Sequence, residues 1–246
     1  MALDSNMDRW YEAVSARFSV RKYCGDPSEQ DLSSLISTAE LLCAHGVRIE
    51  IHSSEDVFRP MFLWYGKIKG TKTFAALICE KGAAPEHIGY IGEALALECA
   101  ALGLGTCWLG GTYSRSKALE LVSLGENEKL SCILSIGIPD EQYVERPRKS
   151  VEKLTGLSNE AFNALHEWQQ YAVECARKAP SAVNRQPWSF VVEDNAVIVK
   201  NTSDNYGYGR LDCGIAMLHI ELGAAHVGVY GEWSKGEGGS VFKPNL

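Results

Sequence analysis

The sequence predicts an α+β fold built from two related halves. Segments with the apolar spacing of helices alternate with short apolar or alternating segments typical of strands, and this order of elements runs twice along the 246 residues. Shifting the chain by 123 residues brings Gly105 onto Gly228, each after a similar apolar helical segment. We therefore expect a first half at residues 1–150 and a shorter second half at 151–246.

The first half is predicted to contain four helices and three buried strands. Its most apolar helix, 86–102, is followed by glycines that suit a helix C-terminus. Residues 58–69 are rich in aromatic side chains and fit neither pattern clearly. The predicted helices are 8–17, 26–43, 86–102 and 116–122, and the predicted strands are 47–52, 74–79 and 130–136.

The second half repeats this order in a shorter form. A capping segment at 157–160 precedes a helix that we expect to run over residues 160–178. Strands near 188–200, a helix at 211–226 and an extended segment at 239–244 follow. The two halves therefore share their predicted element order, which indicates an internal repeat.

Composition limits the classes of function. The chain is 46% hydrophobic and 22% charged, as in ordinary globular proteins, and its formal net charge of -7 argues against a basic face for duplex nucleic acid. No apolar run reaches the length of a membrane helix, and the first residues lack a basic region followed by an apolar core. We expect a cytoplasmic protein with no nucleic-acid or membrane partner.

Cysteine and histidine spacing predicts no metal site. The eight cysteines form no C-x-x-C pair and mostly lie in apolar runs, which is typical of reduced, buried thiols. The six histidines are scattered without ligand spacing relative to one another or to the cysteines.

Two basic clusters are candidate anion sites. Arg17, Ser19 and Arg21 alternate, so in an extended segment their side chains would share one side and could meet a phosphate. Arg146 and Arg148 form the second cluster. Taken alone, both clusters are equally compatible with solvated basic turns, which are the more common structure.

A proline-rich connection stands out between the predicted helix 160–178 and the strands near 188–200. Each proline fixes its own φ and favours an extended residue before it, so the backbone is stiff while Ser181 and Asn184 can form hydrogen bonds. Such a corner could hold a flat heteroaromatic ring. From these residues alone, an ordinary helix stop with turn formers is an equal alternative.

Together these segments resemble the FMN-dependent nitroreductase family. The chain has R-F-S-V-R at 17–21, G-L-G-T-C-W-L-G-G at 103–111, G-I-P at 137–139 and a basic segment at 146–149. The family's A-P-S-x-x-N-x-Q-P-W motif is complete at 179–188, although it comes last here and second in most members. The sequence is most similar to a branch in which two subunits are fused in one chain.

The resemblance implies a nitroreductase-like fold: two tandem repeats forming a pseudo-dimer, with mainly antiparallel sheets flanked by helices. It implies one retained FMN pocket, because the second half lacks the opening basic motif and the first half has C-A-H-G-V at 43–47 where the corner would be. The implied FMN-binding residues are Arg17, Ser19, Arg21, Trp108, Leu109, Gly110, Gly111, Arg146, Arg148, Pro180, Ser181 and Asn184.

The activity implied by the resemblance is FMN-dependent oxidoreduction, with NAD(P)H as donor and a nitroaromatic, quinone or similar electron-poor acceptor. No G-x-G-x-x-G opens a helix after a strand, so nicotinamide is expected as a passing substrate without a Rossmann site. A fused dimer is expected to be monomeric. Two alternatives remain: an FMN-binding protein for electron transfer or sensing, and a scaffold that has lost flavin.

Overall fold

The computed structural model describes residues 6–59 and 67–245, which form two compact units. One unit is the continuous segment Ala16–Glu145, and the other combines the described residues up to Ser15 with those from Arg146 onward. These units differ from the predicted halves because the first helix belongs with the C-terminal part of the chain. The division into repeats at residue 150 stays a prediction.

The units are built from short helices and antiparallel strands. The helices are α1 (Met7–Ala16), α2 (Glu29–Leu41), α3 (Pro85–Ala101), α4 (Arg115–Leu119), α5 (Val151–Thr155), α6 (Asn159–Asn163), α7 (Glu167–Arg177) and α8 (Gly209–His226). The strands are β1 (Tyr23–Gly25), β2 (Val47–Ser53), β3 (Thr73–Glu80), β4 (Gly105–Leu109), β5 (Glu128–Pro139), β6 (Trp188–Glu193), β7 (Ala196–Asn201), β8 (Gly231–Gly236) and β9 (Gly239–Pro244).

The unit Ala16–Glu145 contains an antiparallel sheet in which β5 pairs with β1, β3 and β4, while β2 pairs with the other edge of β3. Strand β3 is an apolar run, and its residues Phe74–Cys79 are fully buried. Helix α3 is buried over most of its length, so its apolar sequence is explained by burial on several sides. The core of this unit therefore lies between β3, β5 and the neighbouring helices.

The other unit contains a four-stranded antiparallel sheet with the order β6, β7, β9, β8. Helices α7 and α8 pack on each other, and α8 also contacts β6 and β7. The closest helix approach is allowed by Gly223, where an added Cβ would lie 2.4 Å from the carbonyl oxygen of Tyr171. The aromatic side chains of Trp188, Phe190 and Phe242 fill the core of this unit.

The two units repeat one topology. In each, a helix is followed by two strands, a long apolar helix and two more strands, and the paired order β2, β3, β5, β4 matches β6, β7, β9, β8. Gly103 and Gly228, at φ 78° and 79°, end the two long helices, and Trp108 and Trp233 follow at equal distances. The internal repeat and its offset of 123 residues stay predictions.

Most predicted elements are confirmed, with three differences. The predicted helix 160–178 is two helices, because His166 adopts an extended ψ of 142° and begins α7 as its N-cap. Strands β1, β4 and β8 were missed, since they are short and carry few large apolar residues. The five-residue helix α5 was also missed. Most of the ambiguous segment 58–69 lies outside the described residues.

All eight cysteines lie in the described part of the chain, and none forms a disulfide. Six are buried, as predicted, while Cys24 and Cys43 are exposed. Among the described residues, no helix is long and apolar enough to cross a membrane.

Candidate functional site

The basic motif at 17–21 lies beside strand β4. Ser19 forms a parallel bridge with Thr106, and the Val20 amide donates to the Thr106 carbonyl at 2.9 Å. Val20 is buried against Gly105, where an added Cβ would meet the valine side chain at 2.6 Å. Val20 therefore packs into the core, while its neighbours Ser19 and Arg21 are half-buried.

Arg17 forms a buried ion pair. Its side chain is 5% exposed, and its Nε lies 3.4 Å from Oε1 of Glu93, which is fully buried on α3. The other oxygen of Glu93 accepts a hydrogen bond from Trp108 Nε1 at 2.9 Å. Among the described residues, Arg17 Nη1 is buried without a hydrogen-bond partner. A buried N–H donor is expensive to leave unsatisfied, so Nη1 is suited to an anionic acceptor.

The Gly-rich segment follows β4 directly. Leu109 is buried in the hydrophobic core, so its side chain lies with Ile133 and not at a surface. Trp108 packs on α3, because an added Cβ at Gly92 would meet its ring at 2.4 Å. An added Cβ at Gly111 would meet nothing within 4 Å. The backbone at Gly111 is therefore accessible to a ligand.

The proline corner, residues 179–188, forms a strained elbow in the other unit. Val183, Asn184 and Gln186 all have left-handed φ, at 46°, 57° and 49°. Such values are unfavourable for residues with a side chain, above all for β-branched valine, and persist only where surrounding contacts hold them. Ser181 Oγ accepts the Gln186 amide at 2.8 Å and closes the turn.

A second group of bonds ties the elbow to the basic segment before α5. Arg148 donates to Asn184 Oδ1 and to the Lys178 carbonyl, and Asn184 Nδ2 donates to the Pro147 carbonyl at 2.9 Å. The Lys149 ammonium donates to the Gln186 carbonyl at 2.6 Å. The structure therefore brings Arg148 to Asn184, and the Arg148 guanidinium orients the elbow. Lys149 was missed as a site residue by sequence reasoning.

A buried carboxylate also faces the elbow. Asp212 on α8 is 2% exposed, and the Ala182 amide donates to its two oxygens at 3.1 and 3.3 Å. Asn205 Nδ2 donates to Asp212 Oδ2 at 2.6 Å and to the Ala182 carbonyl at 3.2 Å. Burial raises the pKa of Asp212 to about 7. Neither residue was predicted, although an acidic residue inside an apolar helical segment was a usable signal.

Comparison with known proteins identifies the family. The model of a family described as "Putative TM nitroreductase" matches residues 9–224. The chain belongs to this nitroreductase family. A comparison with curated proteins finds no match.

Solved nitroreductase structures share the fold. A structure described as a "putative nitroreductase" from Thermotoga maritima is 21% identical, with a TM-score of 0.68, and the match covers 96% of this chain and 94% of the other. A nitroreductase with bound FMN from Desulfitobacterium hafniense is 13% identical, with a TM-score of 0.50, over 61% of this chain and 98% of the other. These likenesses show the α+β fold with antiparallel sheets.

Within this nitroreductase fold, the predicted site residues divide between the two units. The unit Ala16–Glu145 carries Arg17, Ser19, Arg21, Trp108, Leu109, Gly110 and Gly111. The other unit carries Arg146, Arg148, Pro180, Ser181 and Asn184. Arg146 is exposed, whereas Arg148 and Ser181 are half-buried. Among the described residues, no group of three or more His, Cys, Asp or Glu side chains could hold a metal ion.

Proposed function

We propose that this chain is an FMN-dependent oxidoreductase that uses NAD(P)H to reduce a nitroaromatic, quinone or similar electron-poor acceptor. Membership of the nitroreductase family supports this activity. The observation that carries the proposal is the buried Arg17 Nη1, which has no hydrogen-bond partner among the described residues. A buried guanidinium N–H that lacks an acceptor is suited to bind the phosphate of a nucleotide.

The cluster around Arg17 fits the anionic end of FMN. Arg17 offers its Nη1 donor, Ser19 a hydroxyl, and Arg21 a second guanidinium close to the same extended segment. The accessible backbone at Gly111 offers room for a ligand atom. Glu93 holds Arg17 through Nε and so leaves Nη1 for the ligand. Leu109 contributes through its backbone only, since its side chain belongs to the core.

The elbow is proposed to bind the ring and ribityl part of FMN. Pro180 gives a rigid apolar surface, Ser181 a hydroxyl, and Asn184 an amide that Arg148 holds in place. When bound, FMN supplies the redox chemistry, and the protein contributes binding, orientation and electrostatics. Arg146 is exposed and stays a proposed FMN-binding residue, through its positive charge.

We further propose that the two units descend from one nitroreductase-like unit by duplication and fusion, and form a pseudo-dimer. Their matching topology supports this, as does the repeated pairing of a strand tryptophan with a helix glutamate: Trp108 with Glu93 and Trp233 with Glu221. The second half lacks an R-x-S-x-R motif at its start, residues 154–163, which supports a single FMN site per chain. A fused pair needs no second chain, so we expect a monomer.

The test begins with the purified protein. An absorbance spectrum with bands in the near-ultraviolet and blue, or FMN uptake by a colourless preparation, is expected. Rapid anaerobic mixing with NADH or NADPH should then bleach the bound flavin. A flavin that stays yellow with either reductant indicates an electron-transfer or sensing protein, and a protein that takes up no FMN overturns the proposal.

Arg17→Ala is the matched test of the binding residues. It removes the buried donor and should weaken FMN binding at least about tenfold, since hydrogen bonds to charged groups contribute about 1.5–3 kcal/mol. Arg115→Ala is the control, because Arg115 lies in the same unit on α4 and donates to the Leu130 carbonyl. Equal FMN affinity of both variants contradicts the assignment of Arg17.

A further inference from the structure

The strained backbone of the elbow needs contacts with the rest of the unit to keep its conformation. Three left-handed residues, Val183, Asn184 and Gln186, lie within four positions, and each such conformation is unfavourable for a residue with a side chain. Val183 is also 72% exposed, so core packing does not hold its backbone. Hydrogen bonds must therefore hold the elbow in this conformation.

The available bonds fall into two groups. Those of Ser181, Arg148 and Lys149 connect the elbow to itself or to the neighbouring segment 147–149. The bonds of Asp212 connect it instead to α8, the buried helix at the centre of this unit. At the end of the elbow, the Pro187 carbonyl also accepts from the Thr202 amide at 2.9 Å, but the bonds of Asp212 are the ones that reach Ala182 beside the strained residues.

Asp212 and Asn205 act on one residue from two sides. The carboxylate accepts from the Ala182 amide, and the Asn205 side-chain amide donates both to the Ala182 carbonyl and to the carboxylate. Asn205 is itself left-handed, at φ 47°, and 9% exposed. The strained backbone of Asn205 and the buried carboxylate of Asp212 are both unfavourable for folding, so folding alone does not favour this arrangement.

We propose that Asp212, with Asn205 as its partner, is the positioning residue of the elbow: it fixes both polar backbone groups of Ala182 and so presets Ser181 and Asn184 for the cofactor. This inference rests on the proposed FMN function. Asp212 itself need not touch FMN, because its oxygens are already occupied by Ala182 and Asn205. Its removal should leave a wider range of elbow conformations, of which only a fraction binds FMN.

The competent form is the carboxylate. Protonation of Oδ2 removes the acceptor for Asn205 Nδ2, and burial raises the pKa of Asp212 to about 7, so this change falls in an accessible pH range. Arg148 and Lys149 bond the elbow from the neighbouring segment, at Asn184 and Gln186 and not at Ala182. Arg185, the charged residue within the elbow, has an exposed side chain. A pH effect that depends on Asp212 can therefore be separated from theirs by substitution.

The experiment compares Asp212→Asn with a matched control, Asp194→Asn. Asp194 is an exposed acidic residue in the turn between β6 and β7 of the same unit. FMN affinity is measured by fluorescence titration from pH 5.5 to 8.5, and hydrogen exchange of the Ala182 amide is measured by NMR on the cofactor-free protein. We expect Asp212→Asn to weaken FMN binding about tenfold at pH 8 and to speed Ala182 exchange at least about tenfold.

The pH profile separates positioning from a general structural role. Wild type and Asp194→Asn should lose affinity as the pH falls through about 7, whereas Asp212→Asn should lack this component and keep only the titration of the FMN phosphate. If Asp212→Asn does not fold, as judged by circular dichroism, Asn205→Ala is used with the same measurements. It should also speed Ala182 exchange and weaken FMN binding.

Failure of the positioning role can be distinguished from failure of the proposed function. If wild type binds FMN and Asp212→Asn matches it within twofold, with unchanged exchange of Ala182, the positioning role is wrong and the proposed function stands. If wild type binds no FMN, the proposed function fails, and unchanged Ala182 exchange in Asp212→Asn would then refute the anchoring of the elbow as well.

Discussion

Replacing Glu93 by glutamine should strongly destabilise the cofactor-free protein. Glu93 is fully buried and lies 3.4 Å from Arg17, whose side chain is 5% exposed. The amide can still accept from Trp108 Nε1, so the main loss is the negative charge that compensates a buried guanidinium. Removing one partner of a buried ion pair typically destabilises by about 3–5 kcal/mol. Because the amide keeps some hydrogen bonding, we expect about 3 kcal/mol.

The assay is urea unfolding of cofactor-free protein, followed by far-ultraviolet circular dichroism. Glu126→Gln is the control, since Glu126 is exposed in the same unit and its loss should change the free energy of unfolding by less than about 0.5 kcal/mol. The double variant Glu93→Gln with Arg17→Met removes both charges and should be less destabilised than the sum of the single variants. A change below about 1 kcal/mol for Glu93→Gln, or strict additivity in the cycle, refutes this reasoning.

Three further outcomes follow from the structure. Burial raises the pKa of Asp212 from 3.8 to about 7. Its contribution to stability is therefore full below about pH 4 and is lost as the pH rises through 7, by up to about 4 kcal/mol. The free energy of unfolding of wild type and Asp212→Asn, measured across this pH range, checks this prediction, and parallel profiles would contradict it. Gly105→Ala forces a Cβ against Val20 and should destabilise by about 1–3 kcal/mol, whereas Gly111→Ala, which meets open space, should be nearly neutral in the same urea assay. Light scattering should give the mass of one chain, and a stable dimer would count against the fused pair.

Local sequence patterns were sufficient for the apolar elements. The runs that became β3 and α3 are apolar because they are buried on several sides, and burial of that kind is directly visible in composition. The sequence also predicted an extended basic motif at 17–21, and Ser19 forms a bridge with Thr106 there.

Long-range contacts were not predictable from local patterns. The partnership of Asp212 with Ala182 joins positions thirty residues apart, and the left-handed φ of Val183 contradicts the preference of valine. The prolines correctly indicated a stiff corner, but they did not show which bonds hold it. Likewise, nothing local to Arg17 indicated that Glu93 would be its partner.

The order of the chain has a consequence for synthesis. Helix α1 buries Trp10 and Val14 in a unit whose other residues begin at Arg146, and Tyr11 stacks on His226 with ring centroids 3.9 Å apart. At ribosomal rates of roughly 5–20 residues per second, this helix emerges on the order of ten seconds before its packing surface. The uninterrupted segment that follows it can fold meanwhile. Trp10 would then stay open to solvent and chaperones until the residues from Arg146 onward have been synthesised.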